Sequence, residues 1–250
     1  MTIAGCAALV ERGDPDRFLA VMAAPVAARA SLLPLYAFNL EVARAPWVTE
    51  EPLIAEMRLQ WWRDVVENAS SGAARAHEVA GPLHDLIRSA GLPVDVLDRL
   101  VAARRWDIHK EPHTDLAALE AYLDATGAGL MWLAALALGA PATAEEPVRD
   151  YGWAAAAANY LRAVPDLAAR GRHPLPDGVT PQDLARIGLD RLASAHRRRR
   201  AVPKAVAPAL LTGWQTQGLL RQVLGGAVTP ALPEVGKRWR LLWQAFTGRW

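Results

Sequence analysis

Apolar residues along this chain recur every three to four positions, and runs that alternate apolar and polar residues are hard to find. Ala, Leu and Arg, three good helix formers, dominate, so the pattern predicts an all-α protein. Asp14-Pro15 places a capping side chain before a first-turn proline and opens a helix to about Ala24. A second follows from Pro25 to about Arg44. Thr49 reads as the cap of the next, in which Leu53, Met57, Trp61 and Val65 recur at i, i+4 and are expected to face the core, with Arg58, Arg63 and Asp64 beside or opposite them. Further helices are predicted over 75–90, 93–110, 114–139, 144–170, 182–200, 203–224 and 231–247, divided by Gly- and Pro-containing breaks such as Gly91-Leu92-Pro93 and Gly225-Gly226. No break is long enough for a linker, and the Ala154–Ala158 run is the sole low-complexity stretch. A single helical domain over 1–250 is the economical reading.

Composition narrows the class. With 250 residues and 52% hydrophobic content the chain can bury a sizeable core and is not disordered. Its lone Cys6 excludes a disulfide framework and a cysteine-built metal site, which points to a reducing compartment. Met1–Arg12 lacks a basic segment before an apolar stretch, and the longest apolar run, Leu130–Ala140, is far short of the roughly 18 residues of a spanning helix. The expectation is a cytoplasmic protein without a signal peptide. A formal charge of +2 argues against nucleic acid as a partner. Ten of the 17 aromatic residues are Trp, large amphipathic rings suited to cores, interfaces or membrane boundaries.

Few residues are arranged for metal or nucleophile chemistry. His109 and His113 form the one i, i+4 histidine pair, and Pro112 between them spoils a continuous helical face. There is no phosphate-binding glycine loop and no nucleophile elbow. His196–Arg200 reads as a solvated helix face. At the C-terminus Trp239, Leu242, Trp243 and Phe246 fall on one stripe with Lys237, Arg238 and Arg240 nearby. That helix either lies in a membrane interface, with Trp250 as a further contact, or closes the helical bundle.

Two segments carry more. Leu33 to Arg44 contains Tyr36-Ala37-Phe38-Asn39-Leu40-Glu41, followed by Arg58-Leu59-Gln60-Trp61-Trp62-Arg63. Asn159-Tyr160-Leu161-Arg162-Ala163-Val164-Pro165-Asp166 runs into Arg170-Gly171-Arg172-His173-Pro174-Leu175-Pro176. In this order the segments resemble the squalene/phytoene synthase family, with its Tyr-Ala-Phe helix, its Arg-Leu-x-Trp-Trp-Arg helix and its Asn-x-Leu-Arg helix ending in Arg-Gly-Arg-x-x-Leu-Pro. Asp115–Leu123 and the small residues Gly127-Ala128-Gly129 fit the same pattern. The resemblance covers about residues 14–225 and implies an isoprenoid-synthase-like helical bundle around a central cavity.

Enzymes of that family hold a leaving diphosphate through magnesium between two aspartate-rich motifs, because i and i+4 carboxylates share a helix face. Laid on the family pattern, the first motif's acidic positions fall at Ala43, Arg44 and Trp47, with Glu41 off register, and the second motif's at Ala163, Asp166 and Leu167. Asp166 alone is acidic, and magnesium ions in a partly buried cavity without carboxylates have nothing to offset their desolvation. Arg162-Ala163-Val164-Pro165 and Ala37-Phe38-Asn39-Leu40-Glu41 further resemble the family's non-catalytic branch, typified by the mitochondrial complex I assembly factor 6. That resemblance implies no catalytic, metal or cofactor residues, a complex I subunit or assembly intermediate as partner, and a place at the inner membrane. The alternative is a head-to-head prenyltransferase that uses magnesium. Tyr36, Asn39, Glu41, Arg44, Asn159, Arg162, Asp166, Arg170 and Arg172 are the vestigial pocket or anion-binding candidates for a prenyl or lipid diphosphate, the arginines being equally open to a helix-capping or solvent-facing role.

Overall fold

The computed structural model describes residues 3–70, 72–109 and 111–250, and among these there is no strand. Helix α1 (Ile3–Gly13) precedes the first predicted element and inserts Cys6 and Val10 against α3 (Val26–Arg44). Between them, α2 (Pro15–Ala23) starts as expected, with the Asp14 carboxylate accepting from the Arg17 N–H and Pro15 in the first turn. The next helix, α4 (Pro52–Asn68), corrects the sequence reading in two respects. Thr49 does not cap it; its hydroxyl accepts from the Glu51 N–H one step earlier. Its buried face is Ala55, Leu59, Trp62, Val65 and Val66, while Leu53 and Met57 are 72% and 64% exposed. That face packs on α6 (Val94–Ala103), whose Asp98 accepts from both Nε and Nη2 of Arg63 at 2.6 and 2.9 Å at the edge of the contact.

Helix α5 is shorter than predicted and spans Ala80–Ala90; the His77 ring accepts from the N–H groups of Val79 and Ala80 at its start. Helices α7 (Leu116–Leu123) and α8 (Gly129–Ala137) are joined by a π-helical turn, Asp124–Ala128. The 25-residue α9 (Glu145–Ala169) is the central element, packing on α8, α10 (Pro181–Arg197) and α11 (Thr216–Leu224). Its Ala154, Ala155, Ala157 and Ala158 are buried, and such small side chains let neighbouring helices approach closely. It continues through Pro165, whose ring removes one backbone donor without ending the helix. The predicted 203–224 helix is divided: Ala207–Gly213 is 3-10, and only α11 is α-helical. Helix α12 (Glu234–Thr247) lies outermost, against α2 and the 207–213 segment.

Candidate functional site

Helices α3 and α9 line a central cavity of about 430 Å³, closed at one end by α7, the π turn and α8. From α3 come Tyr36, Asn39 and Ala43, at i, i+3 and i+7 on one face, and Trp47 continues that line from the following 3-10 turn. From α9 come Gly152, Ala155, Ala156, Asn159, Ala163, Asp166, Leu167 and, just beyond it, Arg170. Gly127, Leu130 and Met131 make the closed end apolar. A second chamber of about 450 Å³ shares Arg17, Asn39, Ala43, Asn159 and Thr212 with the first and opens toward Asp14 and Arg162.

Polar groups in the cavity fall into two sets. One is linked internally: Arg104 donates to the Tyr122 hydroxyl at 2.7 Å and to Asp107 at 3.2 Å, and the Tyr122 hydroxyl donates to Asp107 at 3.0 Å, with the Arg104 Nε left buried without a partner. Burial pushes the Tyr122 hydroxyl far above the usual phenolic range. The other set is unpartnered. The Tyr36 hydroxyl and the Asn39 side-chain oxygen are buried without a hydrogen-bond partner, and burial pushes the Tyr36 hydroxyl up to about 12. The Arg17 guanidinium stands 5.1 Å from the Tyr36 ring centroid and pairs with Asp14 at 3.4 Å.

The structure brings together six of the nine pocket candidates, Tyr36, Asn39, Asn159, Asp166, Arg170 and, by contact with Trp47, Arg172. Glu41 and Arg44 are corrections: they project from the opposite side of α3 into a separate groove with Arg58, Trp61, Trp62 and His77. Arg162 faces the second chamber and pairs with Asp16 at 3.3 Å. Arg172 is buried and committed to the backbone, donating to the carbonyls of Trp106, Asp107 and His109, the last at 2.6 Å. Its guanidinium lies 4.7 Å from the Trp47 ring and that of Arg170 lies 5.3 Å from it, so Trp47 forms a cation–π cluster at the cavity mouth. Arg17 went unrecognised in the sequence because its approach to Tyr36 depends on how α2 packs on α3.

Ala43, Trp47, Ala163 and Leu167 all face the cavity where the sequence resemblance sets acidic positions. Among the described residues two carboxylates line it. Asp107 is engaged by Arg104 and Tyr122, and Asp166 is exposed at the rim. Among the described residues no three His, Cys, Asp or Glu side chains converge. Magnesium prefers oxygen ligands in octahedral array, usually with carboxylates among them, and this donor set does not fit it. His109 sits 3.7 Å from Glu56 while His113 stacks on Trp106, so the two histidines are not a ligand pair.

Of the C-terminal candidates, Trp239, Trp243 and Phe246 are exposed. Trp250 is a correction, since its ring packs edge-on against Tyr151 at 5.2 Å and lies 5.9 Å from His196. No helix is long and apolar enough to cross a membrane among the described residues.

The chain is similar to proteins named NADH dehydrogenase (ubiquinone) complex I, assembly factor 6. The Bos taurus protein is 25% identical over 241 residues, covering 87% of this chain and 72% of its own length. The Drosophila melanogaster homolog is 30% identical over 180 residues, covering 68% and 52%. A crystal structure of a dehydrosqualene synthase in complex with ligand superposes with TM-score 0.80 at 15% identity, covering 98% of this chain and 95% of that one. Squalene synthase HpnC from Alicyclobacillus acidocaldarius gives TM-score 0.75 at 17% identity over 92% and 95%. The two solved structures share the helical fold, and the pattern that defines Squalene/phytoene synthase matches residues 10–224: the chain belongs to that family.

Proposed function

We propose that this chain is a non-catalytic member of the family that serves in the assembly of respiratory complex I, its cavity acting as a binding chamber. The observation that carries the reading is the apolar character of Ala43, Trp47, Ala163 and Leu167 on the two cavity-lining faces. A diphosphate leaving group needs its charge neutralised as it departs, and here that role has no magnesium-binding carboxylates to depend on. The likeness to proteins named as complex I assembly factors supports the partner. For the chamber itself, Arg17 and Arg170 provide cationic positions and Leu130, Met131 and Ala155 an apolar wall, which suits a prenyl or lipid diphosphate held without metal.

Deleting the gene in the organism that carries it should lower NADH:quinone oxidoreductase activity and the amount of assembled complex I, and the wild-type gene should restore both. Normal activity in the deletion strain refutes the assembly role. Purified protein given farnesyl or geranylgeranyl diphosphate with magnesium should release no pyrophosphate above background; steady release would instead establish the head-to-head prenyltransferase.

A further inference from the structure

The formal charge of +2 conceals a division of the chain. Residues 1–190 hold 17 Lys and Arg against 25 Asp and Glu, a charge of −8, while residues 191–250 hold 11 against the single carboxylate Glu234, a charge of +10. The fold gathers much of this basic segment at one place. Trp250 lies beside His196 at the end of α10, and His196, Arg240, Trp243, Arg249 and Trp250 line one groove of about 300 Å³. The exposed Arg197, Arg199 and Arg200 therefore stand next to the C-terminal end of α12. Arg198 is neutralised by Glu146 and Asp150, and Lys237 by Glu234 and Asp16, whereas Arg197, Arg199, Arg200, Arg238 and Arg249 form no ion pair among the described residues.

Helix α12 docks through Leu241, which is buried, and Lys237. Its other side carries Val235, Trp239, Leu242, Trp243 and Phe246, each between 58% and 90% exposed, at spacings that make one stripe. From Val235 to Trp250 there is no acidic residue. We propose that this face is a lipid-binding surface. Helix α12 lies flat in the boundary layer of an anionic membrane, its Trp and Phe rings among the upper acyl chains, while Arg197, Arg199, Arg200, Arg238 and Arg249 meet phosphate headgroups. At 14 residues α12 is about 21 Å long, too short and too charged to span. The stripe holds no hydrogen-bonding group besides its two indoles, so it offers a fluid apolar layer what it needs and gives an acidic protein little to set register.

Co-sedimentation of the full-length protein with vesicles tests this directly. The protein should bind vesicles of phosphatidylcholine mixed with phosphatidylglycerol, ignore phosphatidylcholine alone, and be released by high salt. Each cation near such a surface is worth roughly fivefold in affinity, so R197E/R199E/R200E should weaken binding at least about a hundredfold. W239S/W243S/F246S should abolish it while leaving the melting temperature unchanged, since all three rings are exposed. Failure of the wild type to bind anionic vesicles overturns the proposal and leaves the basic face to an acidic protein. Binding that survives either set of substitutions overturns it as well. The vesicle assay makes no use of complex I, so it can fail independently of the deletion experiment.

Discussion

Gly127→Ala should destabilise the protein through a single contact. A Cβ on Gly127 would lie 2.2 Å from the Ala156 Cβ, where ordinary contact needs more than 3.4 Å, so α9 and the π turn would have to part by over an ångström at the closed end of the cavity. Neither side has a flexible side chain to move aside. Overpacking of this kind costs about 1–3 kcal/mol, reduced by the ~0.5–1 kcal/mol gained when Ala replaces Gly in a helical segment. Ala156→Gly alone loses about the same propensity. Combining the two removes the clash and cancels the propensity terms, leaving the new Cβ 3.3 Å from the Ala156 Cα and 3.4 Å from the Gly152 carbonyl, tight but tolerable. The double-mutant cycle should therefore show a favourable coupling of about 1–3 kcal/mol. Melting temperatures followed by circular dichroism read this at roughly 2–4 °C per kcal/mol for a chain of this size. If the double variant melts no higher than the sum of the single effects predicts, the 127–156 contact does not control the packing of this end.

Two further outcomes concern buried polar groups near the cavity mouth. Arg172→Lys keeps the charge but loses the planar fork that reaches three backbone carbonyls; at about 1.5–3 kcal/mol per lost charged hydrogen bond, calorimetry should show a fall of several degrees, and an unchanged melting temperature would mean the guanidinium is not an anchor. His113 stacks on Trp106 at 4.0 Å with its Nε2 buried and unpartnered, and burial pushes its pKa down from 6.5 to about 4. The unfolded chain takes up that proton first, so the stabilisation is whole above about pH 6.5 and is lost as pH falls toward 4. His113→Phe keeps the stack and removes the titration; its melting temperature should decline less over that window, and identical pH profiles would dismiss the histidine.

Periodicity made the long elements legible because their ends carry chemical marks. Asp14-Pro15 opens α2, Thr180 and Asp183 form a reciprocal capping box at the start of α10, and Gly91 closes α5 in the left-handed conformation that glycine tolerates. Where the marks are absent the pattern misled. Helix α1 has two glycines and lacks acidic residues in its first turn, and what holds it is the insertion of Cys6 and Val10 against α3, a long-range contact. In α4 two apolar stripes compete, Leu53-Met57-Trp61 and Ala55-Leu59-Trp62, and long-range packing on α6 and the 45–47 turn, which buries Leu59 and Trp62 together with Val65 and Val66, selects the second. Pro208, which has no N–H to donate, interrupts the helix predicted from 203, and Ala207–Gly213 is 3-10, with Gly213 so close to Tyr151 that a Cβ would meet the ring at 2.2 Å.

The cavity was half legible for a related reason. Helical spacing alone aligns Tyr36, Asn39 and Ala43, or Asn159, Ala163 and Asp166, on common faces, so the resemblance and the geometry agree on which positions look inward. Glu41 and Arg44 fail the same test by their offsets of two from Asn39 and one from Ala43, which carry them to the other side of α3. Side chains that fix the mouth have no such periodic signal. Arg172 reaches across from a loop to carbonyls 63 to 66 residues earlier, and in doing so it sets its guanidinium against Trp47. The ring at the position where the family resemblance sets an acid is thus held by cations: Trp47 takes Arg170 and Arg172 on its π-face, an interaction that an aspartate there would replace with direct ion pairing. The arginines thus have an electron-rich partner at the mouth, and that partner has no oxygen to offer a metal.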